Sequence, residues 1–172
     1  MRIRLLEPND AQLIASALAG GGIAKPASQY VRYAEEQAAG ERVVFVAFVD
    51  EGVAGYVTLV WQPDYPPFAA ARIPEIQDLN VLPVLRRRGV ATALLARAEA
   101  EAATRSRVVG IGVGVGPDYG PAQRLYVLRG YVPDARGVVY ANEPVSYGQR
   151  VVVDDDLTLH LTKTMAHIAP PN

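Results

Sequence analysis

The chain has 172 residues and a mass of 18.5 kDa, enough for one hydrophobic core, and its 50% hydrophobic and 20% charged residues are typical of a globular domain. Lys and Arg total 17 against 18 for Asp and Glu, so the chain lacks the strong positive field of a general nucleic-acid binder. It has no cysteine, which excludes disulfides, thiolate nucleophiles and thiolate metal ligands.

The distribution of apolar residues argues against membrane insertion. No stretch approaches the roughly 20 apolar residues that span a bilayer. Glu7 and Pro8 interrupt the start of the chain before the apolar segment of a signal peptide could develop. We therefore expect a single domain over residues 1–172 in the cytoplasm, with no membrane, nucleic-acid or metal partner.

The first 61 residues predict helices and strands bounded by glycines. Asn9 or Asp10 can cap the first helix, and Gly40 stops the second. Two segments rich in Val, Phe, Tyr and Thr, with a short connection between them, predict a β-hairpin. In chain order we predict a strand at 2–6, a helix that ends at the glycines 20–22, a helix at 27–39, and hairpin strands at 42–50 and 53–61.

The rest of the chain continues this alternation after a proline-rich loop at residues 64–68. Apolar residues at helical spacing, among strong helix formers, predict a long amphipathic helix that follows a strand directly. In chain order we predict a strand at 74–82, helix 88–104, strand 108–115, helix 121–129, and strands at 138–141 and 157–164. The order of elements indicates an α/β fold with a mixed sheet and helices on both faces.

The most informative segment joins a predicted strand to the long predicted helix through Arg86, Arg87, Arg88 and Gly89. The first N–H groups of a helix have no partner within the helix, and the helix dipole adds partial positive charge, so backbone alone can bind phosphate oxygens. Glycine lets a phosphate approach closely, the arginines add charge, and Thr92 can add a hydroxyl. The turn therefore predicts a local anion site.

Two motifs carry a family resemblance. The spacing Arg86-x-x-Gly89-x-Ala91 resembles the pyrophosphate-binding signature of the GCN5-related N-acetyltransferases, the GNAT family. Downstream, a helix ending in a tyrosine, three residues, a glycine and an aromatic resembles the family's second motif, here Tyr126, Gly130 and Tyr131. The resemblance covers roughly residues 42–131, and it implies a mixed, mostly antiparallel central sheet with a parallel strand pair that splays apart at the cofactor site.

The resemblance also implies acetyl-CoA as the co-substrate. The pantetheine arm would then hydrogen-bond the backbone of Leu79 and Val81, where an N–H aimed at the thioester oxygen would stabilise the oxyanion. Tyr126 takes the position from which the family protonates the departing CoA thiolate, and a phenol with a pKa of about 10 keeps its proton at neutral pH. The pyrophosphate would bind the segment Arg86, Arg87, Arg88, Gly89, Val90, Ala91 and Thr92.

An amine acceptor must lose a proton before it attacks the thioester, so a carboxylate near the acceptor is the natural base. Glu75 begins the strand before the arginine turn, where some family members carry a glutamate base, and it is the leading candidate; an exposed strand-end carboxylate is the competing interpretation. Asp78, expected on the opposite strand face, is the second candidate, and a water chain to solvent is the third.

Several other features leave two interpretations open. Gly110, Gly112 and Gly114 leave one face of a predicted strand without side chains. Either the pantetheine arm, or the helix that covers it, lies against this face, or the glycines only allow close helix packing. No other potential metal ligands accompany His160 and His167, which are expected to be structural or exposed. Five aromatic residues either line an apolar acceptor pocket or pack in the core: Tyr30, Tyr33, Trp61, Tyr65 and Phe68.

These features predict a GNAT N-acetyltransferase that moves an acetyl group from acetyl-CoA directly to an amine, because the chain has no cysteine that could form an acyl-enzyme. A small-molecule acceptor is favoured over a protein, and a homodimer stays open. The alternative is a non-catalytic acyl-CoA-binding regulatory module of the same fold, against which Tyr126 argues.

Overall fold

The computed structural model describes residues 1–165. The α-helices are α1 (Ala11–Gly20), α2 (Ala27–Ala38), α3 (Pro66–Ala71), α4 (Val90–Ala102) and α5 (Gly120–Leu128). The strands are β1 (Arg2–Leu5), β2 (Arg42–Val49), β3 (Gly52–Val60), β4 (Glu75–Val81), β5 (Val108–Gly114), β6 (Val132–Tyr140), β7 (Glu143–Pro144) and β8 (Leu157–Thr164). These residues form two compact units: the first unit is Met1–Trp61 with Ile76–Glu101, and the second unit is Gln62–Glu75 with the described residues from Ala102 onward.

In the first unit the strand order is β1-β2-β3-β4, and both β1 with β2 and β2 with β3 pair antiparallel. The turn of the predicted hairpin places Asp50 and Glu51 at φ values of 48° and 61°, the positive values that a tight two-residue hairpin turn requires. Helices α1 and α2 bury their apolar sides together with one face of the hairpin. The buried cluster includes Leu6, Ile14, Leu18, Tyr30, Tyr33, Val44, Val46, Phe48, Val53 and Tyr56.

Gly55 allows β3 to approach the end of β4 closely. A Cβ atom at Gly55 would lie 2.3 Å from the carbonyl oxygen of Asn80, so only glycine fits there without a shift of the backbone. Beyond the strand, Leu82 N–H donates to the carbonyl of Ala54 at 2.9 Å. These contacts fix the point from which the arginine turn leaves the sheet. Within β4, Asp78 has a φ of 55°, so the strict alternation assumed for this strand is interrupted there.

In the second unit the strand order is β5-β8-β6-β7, with every pair antiparallel. The register pairs Gly112 of β5 with His160 of β8. A register shift separates Pro133 from Val138 in β6, where Ala135 adopts a φ of 66°. A small apolar cluster of Tyr65, Phe68 and Val139, with Ile73 against it, packs beside these strands.

The predicted α/β fold with a mixed, mostly antiparallel sheet is confirmed. Three elements differ from expectation. The proline-rich loop contains the short helix α3, which was not predicted. Two prolines are tolerated in its first turn, because the N–H groups that they lack would have no partner within the helix. Strand β6 begins earlier than predicted, since its bulge hid the period of two, and β7 was not predicted.

The splay of a parallel strand pair and the single domain stay predictions. Within residues 1–165 no helix is long and apolar enough to cross a membrane. His167 lies outside the described residues.

Candidate functional site

The arginine turn connects β4 to α4 through a 3-10 turn at Pro83–Leu85. The Nε of Arg86 donates to the carbonyl of Val81 at 3.3 Å, which holds this arginine at the strand end. Arg87 has a φ of 60° and Gly89 a φ of 81°, so the chain reverses within a few residues before the helix begins. All three arginines of the turn are exposed, and their positive charge faces solvent.

The start of α4 is open to a ligand. Ala93 N–H donates to the carbonyl of Gly89 at 3.0 Å, which leaves the N–H groups of Val90, Ala91 and Thr92 with no earlier helical carbonyl to bond. A Cβ placed on Gly89 would meet no atom within 4 Å, so the space above the helix start is clear. Buried Val90 anchors this end of the helix in the core. The geometry suits a phosphate group held by backbone N–H groups and arginine side chains.

Leu79 and Val81 lie on β4 directly before this turn. Val81 is buried and Leu79 is half-buried. Leu79, Val81 and the predicted anion-binding residues therefore occupy one continuous strand, turn and helix start of the first unit.

Asp78 is the centre of a polar cluster in the first unit. Lys25 Nζ contacts Oδ1, and Asn80 Nδ2 donates to the same oxygen at 3.0 Å. Oδ2 accepts from three donors: Tyr56 OH at 2.6 Å, Gln29 Nε2 at 2.9 Å and Tyr33 OH at 2.9 Å. The Asp78 side chain is only 15% exposed, so these donors replace the water that the carboxylate gave up.

The ionisation of this cluster follows from its contacts. Burial opposes the charge on Asp78, but the Lys25 ammonium and the hydrogen bonds from Lys25, Tyr56 and Tyr33 outweigh it and lower the pKa of the carboxyl. Burial, together with the adjacent Asp78 charge, raises the pKa of Tyr56 and of Tyr33. Asp78 is therefore a stable anion surrounded by neutral phenols and one ammonium.

Tyr126 lies in α5 of the second unit and is 6% exposed. Burial raises its pKa to about 12, so the phenol stays protonated throughout the neutral range. Its carbonyl accepts from Tyr131 N–H at 3.1 Å, which closes the helix end predicted from the second motif. Gln123, also on α5, donates from Nε2 to the carbonyl of Gly114 at 2.8 Å and ties the helix to β5.

Glu75 is buried, with only 4% of the residue exposed, so the interpretation of an exposed strand-end carboxylate is wrong. Its Oε1 lies 3.4 Å from Nε2 of His160, which is itself 3% exposed. The imidazole stacks on Tyr65 with ring centroids 3.7 Å apart and planes 8° apart, and Phe68 meets its edge. The sequence did not predict this pair. The alternation of polar and apolar residues that places His160 in a strand does not indicate which side chain from another strand it contacts.

The glycine face of β5 is covered by side chains of the second unit. A Cβ on Gly110 would lie 2.2 Å from the ring of Phe68, and one on Gly114 would lie 2.5 Å from the ring of Tyr119. A Cβ on Gly112 would lie 3.2 Å from His160 Nε2. These contacts favour close packing over a cofactor arm as the reason for the glycines.

Four of the five aromatic residues considered for an acceptor pocket pack in cores. Tyr30 and Tyr33 belong to the buried cluster of the first unit, and Tyr65 and Phe68 to that of the second. Within residues 1–165 no group of three or more His, Asp or Glu side chains could hold a metal ion.

Comparison with known proteins gives matches at the level of family and fold. Residues 14–131 match the model of the acetyltransferase (GNAT) family. No curated protein matches the chain by sequence. Among solved structures, ribosomal-protein-alanine N-acetyltransferase from Brucella melitensis is 18% identical with a TM-score of 0.71, over 96% of this chain and 100% of that one.

Two further solved structures are similar. The protein yncA from Salmonella typhimurium, solved with its cofactor acetyl-CoA, is 18% identical with a TM-score of 0.70 over 100% of this chain and 98% of that one. A chimera of the spermidine N-acetyltransferase SpeG from Vibrio cholerae and hSSAT is 17% identical with a TM-score of 0.68 over 95% of this chain and 96% of that one. At these identities the structures show a shared fold.

Proposed function

Because the chain belongs to the GNAT acetyltransferase family, we propose that it transfers the acetyl group of acetyl-CoA directly to an amine. The observation that carries this proposal is the open helix start at Gly89, which fits the pyrophosphate of acetyl-CoA. A solved structure of the same fold contains acetyl-CoA as its cofactor, which supports the choice of co-substrate.

The anion-binding segment runs from Arg86 to Thr92 in this proposal. The backbone N–H groups of Val90, Ala91 and Thr92 bind pyrophosphate oxygens, and Arg86, tethered to Val81, adds charge that is already oriented. Arg87 and Arg88 contribute exposed positive charge on the same turn, and Gly89 provides clearance.

The pantetheine arm is proposed to hydrogen-bond the backbone of Leu79 and Val81. Strand β4 is fixed at this point by the close approach of Gly55, so its backbone groups are held before the ligand arrives. A preorganised N–H costs little reorganisation when it stabilises the oxyanion that forms as the amine attacks.

Tyr126 is proposed as the general acid that donates its proton to the departing CoA thiolate. Its pKa of about 12 means that the proton is present at neutral pH, so the phenol is always in the donating form. A neutral phenol in a buried position can release the proton when negative charge develops on the sulfur beside it.

Glu75 is proposed as the general base that collects the proton of the acceptor ammonium. It is a buried carboxylate of the second unit. Asp78 is the poorer candidate, because five donors already occupy its oxygens and its pKa is lowered, so it has little tendency to accept a proton at neutral pH. A water chain to solvent is the remaining alternative.

The acceptor is proposed to be a small-molecule amine in preference to a protein. Structures with the same fold include an N-acetyltransferase named for spermidine and another named for a ribosomal protein alanine, so both classes belong in a test. A cytoplasmic location is part of the same proposal, and a homodimer is compatible with it.

The competing function is a regulatory module that binds acyl-CoA without turnover. The two are separated by measuring release of the CoA thiol from acetyl-CoA with a panel that contains spermidine, free amino acids and a peptide with an N-terminal alanine. An enzyme releases CoA only when an accepted amine is present. Tight acetyl-CoA binding with no amine-dependent release across the panel would favour the regulatory module.

A further inference from the structure

His160 forms a buried pair with Glu75, and the proposed reaction assigns this histidine no role. Both residues are almost fully buried, and Nε2 of the imidazole faces Oε1 of the carboxylate at 3.4 Å. This distance exceeds the usual range of about 2.7–3.2 Å for an N–H···O hydrogen bond. The two groups therefore interact mainly through charge and dipole, which are weakly screened in a buried site.

The imidazole cannot rotate freely. Tyr65 stacks on its face, and Tyr65 is held in turn by a hydrogen bond of 2.8 Å from its hydroxyl to Asp134 Oδ2. Gly112 lies opposite His160 in the β5–β8 register, and its missing side chain provides the room in which Nε2 reaches Glu75. The ring plane and the direction of Nε2 are thus fixed by packing.

The surroundings also select one neutral tautomer. Among the described residues, Nδ1 of His160 is buried with no hydrogen-bond partner. A proton there would be a buried donor without an acceptor and would leave the bare lone pair of Nε2 facing a carboxylate oxygen. A proton on Nε2 instead points at a carboxylate oxygen. Beyond the Tyr65 ring, Asp134 and Arg136 lie 4.0 Å apart and add charge near the pair.

We propose that His160 is a positioning residue for the general base, holding the ionised Glu75 carboxylate through the Nε2–H face of a neutral, sterically fixed imidazole. This inference rests on the proposed role of Glu75. The Nε2–H dipole stabilises the charged carboxylate, which is the form that accepts the acceptor's proton. The bare Nδ1 makes no competing bond that could turn the ring away.

The activity test compares two substitutions of His160. In His160→Gln the amide keeps an N–H near the position of Nε2, whereas His160→Leu removes it. We expect His160→Leu to lower kcat/KM on the order of tenfold at neutral pH, a part of the roughly hundredfold or more that a general base supplies. His160→Gln should retain most of the activity.

A second measurement tests the contact between His160 and Glu75 independently of catalytic activity. The chain has two histidines, so ring ¹⁵N signals of His160 are assigned by their loss in His160→Gln. We expect a protonated Nε2 and an unprotonated Nδ1 in the wild type, and we expect Glu75→Gln to shift both signals. A proton on Nδ1, or ring signals that Glu75→Gln leaves unmoved, would overturn the proposal.

Gly112→Ala displaces the pair without removing either group, since the new Cβ would lie 3.2 Å from His160 Nε2 and 3.4 Å from Glu75 Oε1. It should lower kcat and shift the His160 signals while leaving the affinity for acetyl-CoA unchanged. Gly20→Ala is the matched control, because a Cβ there meets nothing within 4 Å.

The outcomes separate this inference from the proposed function. If the wild type releases no CoA with any amine, the proposed function fails, and the ¹⁵N measurement still decides whether the pair exists as described. If the wild type is active but His160→Leu keeps its kcat/KM within about twofold, the positioning role is wrong.

Discussion

The hydroxyl of Tyr56 donates to Oδ2 of Asp78 at 2.6 Å in the first unit, where Tyr56 is fully buried and the Asp78 side chain is 15% exposed. Four other donors complete the shell of this carboxylate, and one of them, Lys25, carries the compensating charge. Asp78 adopts a φ of 55°, a left-handed conformation that costs a non-glycine residue free energy, and the hydrogen bonds offset this strain. The cluster joins the loop before α2, helix α2 itself and strands β3 and β4.

Asp78→Asn should therefore destabilise the protein by about 3 kcal/mol, because a partly buried ion pair loses one partner and several donors lose a charged acceptor. The pKa of Asp78 is lowered on folding, so its contribution to the free energy of unfolding is fully present above the unfolded pKa of about 3.9 and is lost as pH falls through the folded value. Urea unfolding of wild type and variant at neutral pH and near pH 3 measures this difference.

The difference in the free energy of unfolding between the wild type and Asp78→Asn should be smaller near pH 3 than at neutral pH. Exposed Asp64 provides the control, since Asp64→Asn should change stability little at either pH. Equal stability of Asp78→Asn and wild type at neutral pH would show that the cluster contributes nothing net to folding.

Gly89→Ala should weaken acetyl-CoA binding, because the new methyl group lies where the phosphate approaches and the φ of 81° strains any L residue by about 1 kcal/mol. Gly40→Ala is matched in both respects, with a φ of 78° and no atom within 4 Å of the new Cβ. Titration calorimetry should show reduced affinity in Gly89→Ala alone, although both variants lose similar stability.

The same experiment with pantetheine, which has no pyrophosphate, should give weak binding that neither substitution alters. If the wild type bound acetyl-CoA and pantetheine with equal affinity, the pyrophosphate would contribute nothing to binding and the assignment of the anion site would be wrong.

Tyr126→Phe should slow turnover by roughly a hundredfold to ten-thousandfold, because the ring remains and the proton donor is lost. Acetyl-CoA affinity should stay nearly unchanged. Tyr131→Phe, a neighbouring buried tyrosine with its ring centroid 6.0 Å away, controls for loss of a buried hydroxyl. With chemistry shown to limit turnover, a loss below about threefold in Tyr126→Phe would assign the residue to packing.

The raised pKa of Tyr126 also predicts the shape of the alkaline side of the profile. A phenol with its ordinary pKa of about 10 would begin to lose its donating form near pH 9. With the pKa raised to about 12, kcat should show no decline from this group up to about pH 10. A basic limb near pH 9 that disappears in Tyr126→Phe would contradict this assignment.

Glu75→Gln should remove the acidic limb of kcat/KM, because the rate then no longer depends on an ionised carboxylate. An ammonium with a pKa near 10 leaves little free amine at neutral pH, so the variant should depend mainly on the acceptor's own titration. The profiles of wild type and variant with one acceptor decide this. An acidic limb that persists unchanged would leave Asp78 or a water chain as the proton acceptor.

Local patterns in the sequence predicted most of the fold, including the turn on which the proposed anion site depends. The hairpin of β2 and β3, the glycine ends of α2 and α5, and the turn at Gly89 each depend on near neighbours in the chain. The Glu75–His160 contact joins residues 85 positions apart by number, and the Asp78 cluster depends on an interrupted strand and on side chains from three other segments. Such contacts arise from tertiary packing between distant segments, which the spacing of residues within one segment does not predict.

In the proposed reaction the acetyl group passes from acetyl-CoA to an amine. The most direct measurement supplies isotope-labelled acetyl-CoA and an accepted amine and follows the label by mass spectrometry in the amine and in the protein. We predict that the label appears on the amine in step with CoA release, without a labelled protein intermediate, and that Gly89→Glu abolishes both. If acetyl-CoA binds but its label never appears on any amine, the proposed transfer is wrong.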